Sequence, residues 1–358
     1  MPAETIEYRE LLQELLWAYG PCGQEDAVRD IAVRELVDAS DEVTVDHAGN
    51  VIALLRGAEH PDEAGAIRVM AHLDELSMLV KRVESDGTLH LTQLGTMYPG
   101  NFGLGPVAIL GNNEELCGVL TLGSEHTTKE SDRIWETKPD KGDRSLDWDH
   151  VYVFTGRTPD QLAHAGVRPG TRVCVDRSKR TLVQLGDYLG SYFMDDRAPL
   201  TAMLRTARRL RRTNRRPPRD VYFVATVCEE IGGIGGSYAA RTLPDGLTLA
   251  LEVGPTEVEY ATTVAGGPIV GYSDAQCVYD KAVADRLMTC AEAVGLQPQA
   301  AVLGAFESDA SHAKSAGLTA AAGLLCLPTL STHGYEVISA RAIPDMVDVL
   351  AEFLLGST

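Results

Sequence analysis

The chain has no pair of cysteines in Cys-x-x-Cys spacing, although it carries seven cysteines in 358 residues. Cys22, Cys117, Cys174, Cys228, Cys277, Cys290 and Cys326 are scattered and odd in number, which argues against a disulfide framework or a thiolate zinc site. Basic charge is also short: 32 Lys and Arg stand against 51 Asp and Glu, for a net charge of −19. Neutralising phosphates needs the reverse balance, so nucleic acid is set aside as a partner. No run of 18 or more apolar residues occurs, and the opening Met1-Pro2-Ala3-Glu4-Thr5 has neither the basic nor the apolar region of a secretion signal. These absences predict a cytoplasmic protein that does not engage a membrane. The glycine-rich run 231–236 lacks the Gly-Lys-Ser/Thr ending of a phosphate loop and follows two acids that would repel phosphate.

What is present suits a globular enzyme. At 44% hydrophobic and 358 residues, the chain exceeds the roughly 250–300 residues at which one core stops growing, so two domains are expected. Apolar residues at three- and four-residue spacing predict two helices over 4–38, broken at Gly20-Pro21-Cys22-Gly23. Strands follow at 43–46 and 50–55 around a hairpin-like turn, then at 66–71. From Glu75 to about 187 the pattern changes to short β-like pieces separated by glycine turns, with a charged, exposed loop at 125–149. After that, helices (198–212, 280–295, 343–355) alternate with apolar strands (221–227, 247–251, 320–327). The predicted architecture is α/β: a mostly parallel sheet covered by helices on both faces, with an inserted small β-barrel or sandwich. The boundaries are 1–74 and 188–358 for the α/β domain and 75–187 for the insert, and ligands are expected beyond the carboxyl ends of the strands.

Polar residues gather at those ends. His72 and Asp74 close the strand 66–71, Asp195-Asp196-Arg197 opens a helix, Glu229-Glu230 follows the strand 221–227, Glu252 ends another apolar run, and His333 comes late. Imidazole with carboxylate suits zinc, cobalt or manganese, and two such ions about 3.5–4 Å apart are a common device for activating water in hydrolases. Each feature also has an ordinary reading. His72-x-Asp74 can be a loop pair, Asp195-Asp196 a helix N-cap with an acidic first turn, and His312 a helix cap or pocket wall. Adjacent Glu229 and Glu230 are harder to dismiss, because two carboxylates repel unless a proton or cation separates them. Cys228, which precedes them, has no activating histidine beside it in sequence. Eight arginines between Arg205 and Arg219 fall on the polar face and C-terminal end of a helix, where solvent or subunit contact explains them. The remaining histidines (His47, His60, His90, His126, His150, His164) read as turn and surface residues.

Taken together, these motifs resemble the tetrahedral aminopeptidases, co-catalytic metallopeptidases with glutamyl aminopeptidase and endoglucanase-like relatives. The resemblance covers nearly the whole chain: Ala71-His72-x-Asp74-Glu75, an inserted β region, Asp195-Asp196-Arg197, Glu229-Glu230 before a glycine stretch, an acid at 252 and His333. It implies that Asp195 bridges two divalent ions, zinc or cobalt. His72 and Glu252 would complete one metal site, and Glu230 and His333 the other. Glu229 would be the general base and Asp74 the partner that orients His72. The implied reaction is release of an N-terminal residue from short peptides by a metal-held hydroxide, in a homo-oligomer of dimers building a dodecamer through the insert. Ser308-Asp309-Ala310 matches the family's Ser/Thr-Asp-Ala segment, which makes Ser308, Asp309 and His312 substrate-binding candidates. This chain departs from the pattern at Glu252 (usually Asp), Cys228 (often Gln), Gly334 (usually Ser) and Ala198-Pro199 (usually containing Gly). A deacylase or amidohydrolase on N-blocked substrates, a metal-free glycosidase and a non-catalytic metal-stabilised assembly are the competing readings.

Overall fold

The structure, a computed structural model, describes residues 3–58, 65–139, 142, 144–213 and 215–356, with the side chains of 3–6 excepted. In chain order these form helices α1 (Ala3–Trp17) and α2 (Asp26–Val37), then strands β1 (Glu42–Val45), β2 (Val51–Leu55) and β3 (Ala66–His72). Next come β4 (Ser77–Val83), β5 (Leu89–Leu94), α3 (Pro99–Phe102), β6 (Gly105–Leu110), β7 (Glu115–Thr121), α4 (Asp132–Trp135), β8 (Tyr152–Phe154), α5 (Pro159–His164) and β9 (Arg172–Val175). The chain continues through β10 (Val183–Leu185), β11 (Tyr188–Tyr192), α6 (Met194–Thr213), β12 (Val221–Thr226), α7 (Ile234–Thr242), β13 (Gly246–Pro255) and β14 (Ile269–Ser273). It ends with α8 (Lys281–Ala293), β15 (Gln299–Val302), α9 (Asp309–Ser315), β16 (Ala321–Leu330), β17 (Tyr335–Ser339) and α10 (Ala342–Leu355).

Two compact units emerge. The larger comprises residues 1–75, 182–332 and 336–358; the smaller comprises 76–181 with 333–335. In the larger unit an 11-stranded sheet runs β1-β2-β12-β3-β13-β16-β17-β11-β10, with β14 and β15 attached beside β16. Its centre, β12-β3-β13-β16, is parallel. Antiparallel strands extend it on both sides. The parallel centre was legible because β3 is buried at every position and β13 nearly so, leaving no polar alternation. Helices cover both faces. On one, Ala239, Ala240 and Ala313 of α7 and α9 pack against Ile52, Met70 and Val224. Arg68, fully buried in β3, donates to the Ala240 carbonyl at 2.7 Å and to the Thr319 hydroxyl at 2.8 Å.

The smaller unit is a closed barrel of order β4-β5-β8-β7-β6-β9. Closure removes the free edges that six short strands would otherwise expose. The stretch 125–149, expected as an exposed loop, carries the short helix α4, which buries Ile134. His150 is buried as well, accepting the Asp147 amide at 3.0 Å rather than facing solvent, and His60 lies outside the described residues. Strands β10 and β11 continue the large sheet.

Candidate active site

Three parallel strands deliver the site. His72 is the last residue of β3 and pairs in register with Thr226, the last of β12, while Glu252 sits late in β13 opposite Cys326 of β16. Asp195 and Asp196 stand at the start of α6 in non-helical conformation, joined by a cis peptide. The structure thus brings His72, Asp195, Asp196 and Glu252 together, all buried, each offering one ligand atom within 4.8 Å of the others. His72 Nε2 lies 3.0 Å from Asp195 Oδ1 and 4.0 Å from Glu252 Oε2. Asp196 was not among the expected ligands. One of its oxygens accepts the His72 amide at 2.8 Å, and the other is buried with no partner among the described residues.

Such a set resists its own charge. Burial pushes the carboxyls of Asp196 and Glu252 well above the usual range, and repulsion from neighbouring carboxylates, Asp195 for both, adds to the effect. Burial also opposes charging of His72, but Asp196, Asp195, Asp74 and Glu252 outweigh it and hold the imidazole well above its ordinary value. Three buried carboxylates facing one imidazole therefore fit a divalent cation, and the mixed nitrogen and oxygen donors suit a borderline transition metal.

Asp74 does more than expected of it. The ring Nδ1 of His72 lies 3.1 Å from the Asp74 carbonyl and 3.6 Å from its carboxylate, so the backbone oxygen makes the closer contact. The carboxylate accepts the Glu229 amide at 2.9 Å, the Glu230 amide at 3.1 Å and the Cys22 thiol at 3.0 Å. Asp74 therefore fixes the backbone that carries both glutamates. Burial drives the Glu229 carboxyl well up; Asp309, Glu230 and Asp74 add to the shift and His72 opposes it.

Around this centre the braces are buried and polar. Arg197 is fully buried and donates to Glu75 at 2.8 Å and to the Leu15 carbonyl at 3.2 Å, and it also reaches the Leu73 carbonyl. Glu336 accepts the Asp195 amide at 3.0 Å. Glu25 takes the Gly23 amide at 2.7 Å and the Cys228 thiol at 3.3 Å. Burial raises the Cys228 thiol to about 12, which makes it a poor nucleophile.

The three substrate-binding candidates occupy different settings. Ser308 is fully buried as the N-cap of α9 and bonds the Tyr279 hydroxyl at 2.8 Å. Asp309 accepts the Thr226 hydroxyl at 2.5 Å, and burial lifts its pKa to about 6. His312 pairs with Glu307 at 3.0 Å and packs where Gly233 leaves room for its ring. His333, with φ of 56°, belongs to the smaller unit, where its ring meets the Thr96 carbonyl at 3.0 Å.

These shifts have a measurable sign. Without metal, the folded chain holds protons on Asp196, Glu252, Glu229 and Asp309 at pH values where unfolded carboxyls, near 4, have lost them. His72 likewise keeps its proton above the imidazole value of about 6.5. The fold thus binds more protons than the unfolded chain, and its stability falls as pH rises. Asp309 contributes this loss up to about pH 6, and His72 above about 6.5. The melting temperature of chelator-treated protein should therefore drop between pH 6 and pH 8, and added zinc should restore more of it at pH 8. An equal response to zinc at both values would count against the cluster as a metal site.

Residues 49–349 match the M42 glutamyl aminopeptidase family. Lysyl aminopeptidase of Pyrococcus furiosus is 28% identical over 247 residues, a match that takes in 68% of this chain and 66% of that protein. Among solved structures, an aminopeptidase from the archaeon Desulfurococcus kamchatkensis superposes with a TM-score of 0.87 at 24% identity, covering 99% of this chain and 96% of that one. The TET1 peptidase of Pyrococcus horikoshii, which can assemble into a tetrahedron or a large octahedral shell, gives 0.82 at 21% identity, covering 99% and 100%. The two structures establish a shared fold. Among the described residues no helix is long and apolar enough to cross a membrane. With the family match extending over most of the chain, from the turn before β2 into α10, the chain belongs to the M42 glutamyl aminopeptidase family and is a hydrolase.

Proposed function

We propose that this chain is a two-metal aminopeptidase that releases the N-terminal residue from short peptides. The observation that carries the reading is the buried set of His72 and Glu252, from parallel strands β3 and β13, with Asp195 and Asp196 from the start of α6, and Glu229 held beside it through Asp74. His72 and Glu252 would hold one ion, Glu230 and His333 the other, and Asp195 both; the assignment of His333 rests on the family resemblance. Zinc or cobalt fits the donors. When bound, such ions supply Lewis acidity toward a scissile carbonyl and bring the pKa of a water from 15.7 down to about 7.

The protein's own groups do the rest. Asp74 fixes the backbone of Glu229, whose carboxylate accepts the water's proton and returns it to the leaving amine. Arg197, joined to Glu75 and to the carbonyls before it, holds the segment that carries His72 and Asp74. Asp196 fixes the same segment from the other side through the His72 amide. The acidic surroundings favour a substrate that presents a cationic free amine. The chain would also self-associate, with dimers building a dodecamer and the barrel unit as assembly element. A light-scattering mass near the single-chain 38.6 kDa would overturn that part.

The test is chelator-stripped protein reloaded with zinc, cobalt or manganese and offered aminoacyl chromogenic substrates alongside N-acetylated ones. Turnover should require metal and a free amine. Hydrolysis confined to the acetylated substrates would instead support a deacylase, and glycoside hydrolysis persisting in chelator would support a glycosidase.

A further inference from the structure

We propose that Asn50 is a positioning residue for the reaction: its side-chain amide sets the span of the turn that presents Glu229. The proposal rests on the aminopeptidase reading above. Asn50 is fully buried just ahead of β2, the strand beside β12 in the sheet.

Its orientation is fixed from behind by Asp46. One Asp46 oxygen accepts the amides of Ala48, Gly49 and Asn50 at 2.8, 2.9 and 3.0 Å. The other takes a hydrogen from Asn50 Nδ2 at 2.8 Å. The amide then reaches forward in two directions. Nδ2 donates to the Gly235 carbonyl at 3.0 Å, and Oδ1 accepts the Val227 amide at 3.0 Å. A flipped amide would set N–H against N–H at Val227 and oxygen against oxygen at Gly235 and Asp46, so the network admits one orientation.

Val227 and Gly235 are the two ends of the turn that carries Glu229 and Glu230. Gly235 also donates its own amide to the Val227 carbonyl at 2.9 Å, which closes a ring of three hydrogen bonds through one side chain. The approach is too close for any side chain at 235: a Cβ there would lie 2.3 Å from the Val227 oxygen and 2.5 Å from Asn50 Oδ1. Inside the turn Cys228 has φ of 54°, a region an unbraced L-residue seldom keeps. Asp74 grips the middle of the turn, at the Glu229 and Glu230 amides, and Asn50 grips its ends. These two braces act on different atoms, so loss of Asn50 leaves the Asp74 contacts available while the ends of the turn open.

A shift of about 1 Å at a proton-transferring group can cost on the order of 10²-fold in rate, because the group no longer meets the reacting atoms in line. Ground-state substrate binding does not depend on that alignment, so the effect belongs in kcat. The experiment uses full-length, metal-loaded protein carrying Asn50→Ala or Asn50→Ser. The Ser variant keeps one small polar group but is too short to span from the Val227 amide to the Gly235 carbonyl, so it carries the test even where the Ala variant folds poorly. Steady-state kinetics is read beside hydrogen exchange of the 227–235 amides. In the Ala variant those amides should exchange at least about tenfold faster while β12 stays protected. Its kcat should fall about 10- to 100-fold with KM within about twofold. The Ser variant should lie between it and the unsubstituted protein. Unchanged kcat with unchanged exchange would overturn the proposal. Faster exchange in a protein that, unsubstituted, turns over no aminoacyl substrate would overturn the aminopeptidase reading and leave the brace in place.

Discussion

Glu229→Gln should abolish most of the turnover while leaving the protein folded and metal-loaded. The change keeps the side chain's shape and removes only its ability to take a proton, and loss of a general base typically costs about 10²–10⁴ in rate. The geometry explains why the loss should be clean. The Glu229 and Glu230 amides are both held by the Asp74 carboxylate, at 2.9 and 3.1 Å, so the backbone of the turn does not rely on either glutamate's side chain. Glu230→Gln makes the contrasting case, because it removes a proposed metal ligand and should lower metal occupancy along with rate. Elemental analysis of both variants beside their kinetics separates the two jobs. Near-normal turnover in fully metallated Glu229→Gln would place the proton elsewhere. Asp309, a buried carboxyl with a pKa of about 6, would be the group to substitute next.

Much of this site could be read from the sequence because of where its residues fall. His72, Glu229 and Glu252 each end or follow an apolar run, and an apolar run closed by an acid or histidine is what a buried parallel strand feeding a site looks like in one dimension. The parallel centre of the sheet follows from the same signals, whereas the β-rich insert was legible only as short strands between glycine turns, a pattern that fits a barrel or a sandwich until the closure of β4 on β9 decides it. The supports could not be read so. Asn50 meets Gly235 across 185 positions, Cys228 meets Glu25 across 203, and Arg197 meets Glu75 across 122, and nothing local marks a polar residue whose partner is that far away. Arg197 was visible as part of a motif, but its task, a fully buried pair with Glu75, belongs to the tertiary structure. Asp196 looked like the acid of a helix start and proves to face His72. The short helices α7 and α9 went unpredicted because one opens on glycines and the other has seven residues, too few for a periodic signal. Strands β14, β15 and β17 are four or five residues long, too short for a clear alternation even though glycine or proline flanks each of them.

Asp195→Ala should empty the metal site. Its carboxylate stands 3.0 Å from His72 Nε2 within the buried four-residue cluster, and it is the residue assigned to both ions. The substitution leaves its surroundings in place, since Glu336 holds the Asp195 backbone amide and Asp196 keeps the His72 amide through bonds that do not involve the lost carboxylate. Metal counting should therefore find close to none of the two ions expected of a co-catalytic site, with activity lost in parallel. His333→Ala should mainly weaken one. A second readout does not depend on turnover. A ligand present at about 1,000 times its Kd stabilises a fold by about 4 kcal/mol, so zinc should raise the melting temperature of the unsubstituted protein by several degrees. In Asp195→Ala that rise should vanish. Asp195→Asn tests charge apart from size: the amide fills the same space beside His72 but brings no negative charge to share between two cations, so it should fail as the Ala variant does. Two ions still counted in Asp195→Ala would mean that Asp196, whose free oxygen is buried in the same cluster, or another carboxylate does the bridging, and the ligand assignment would have to be redrawn around it.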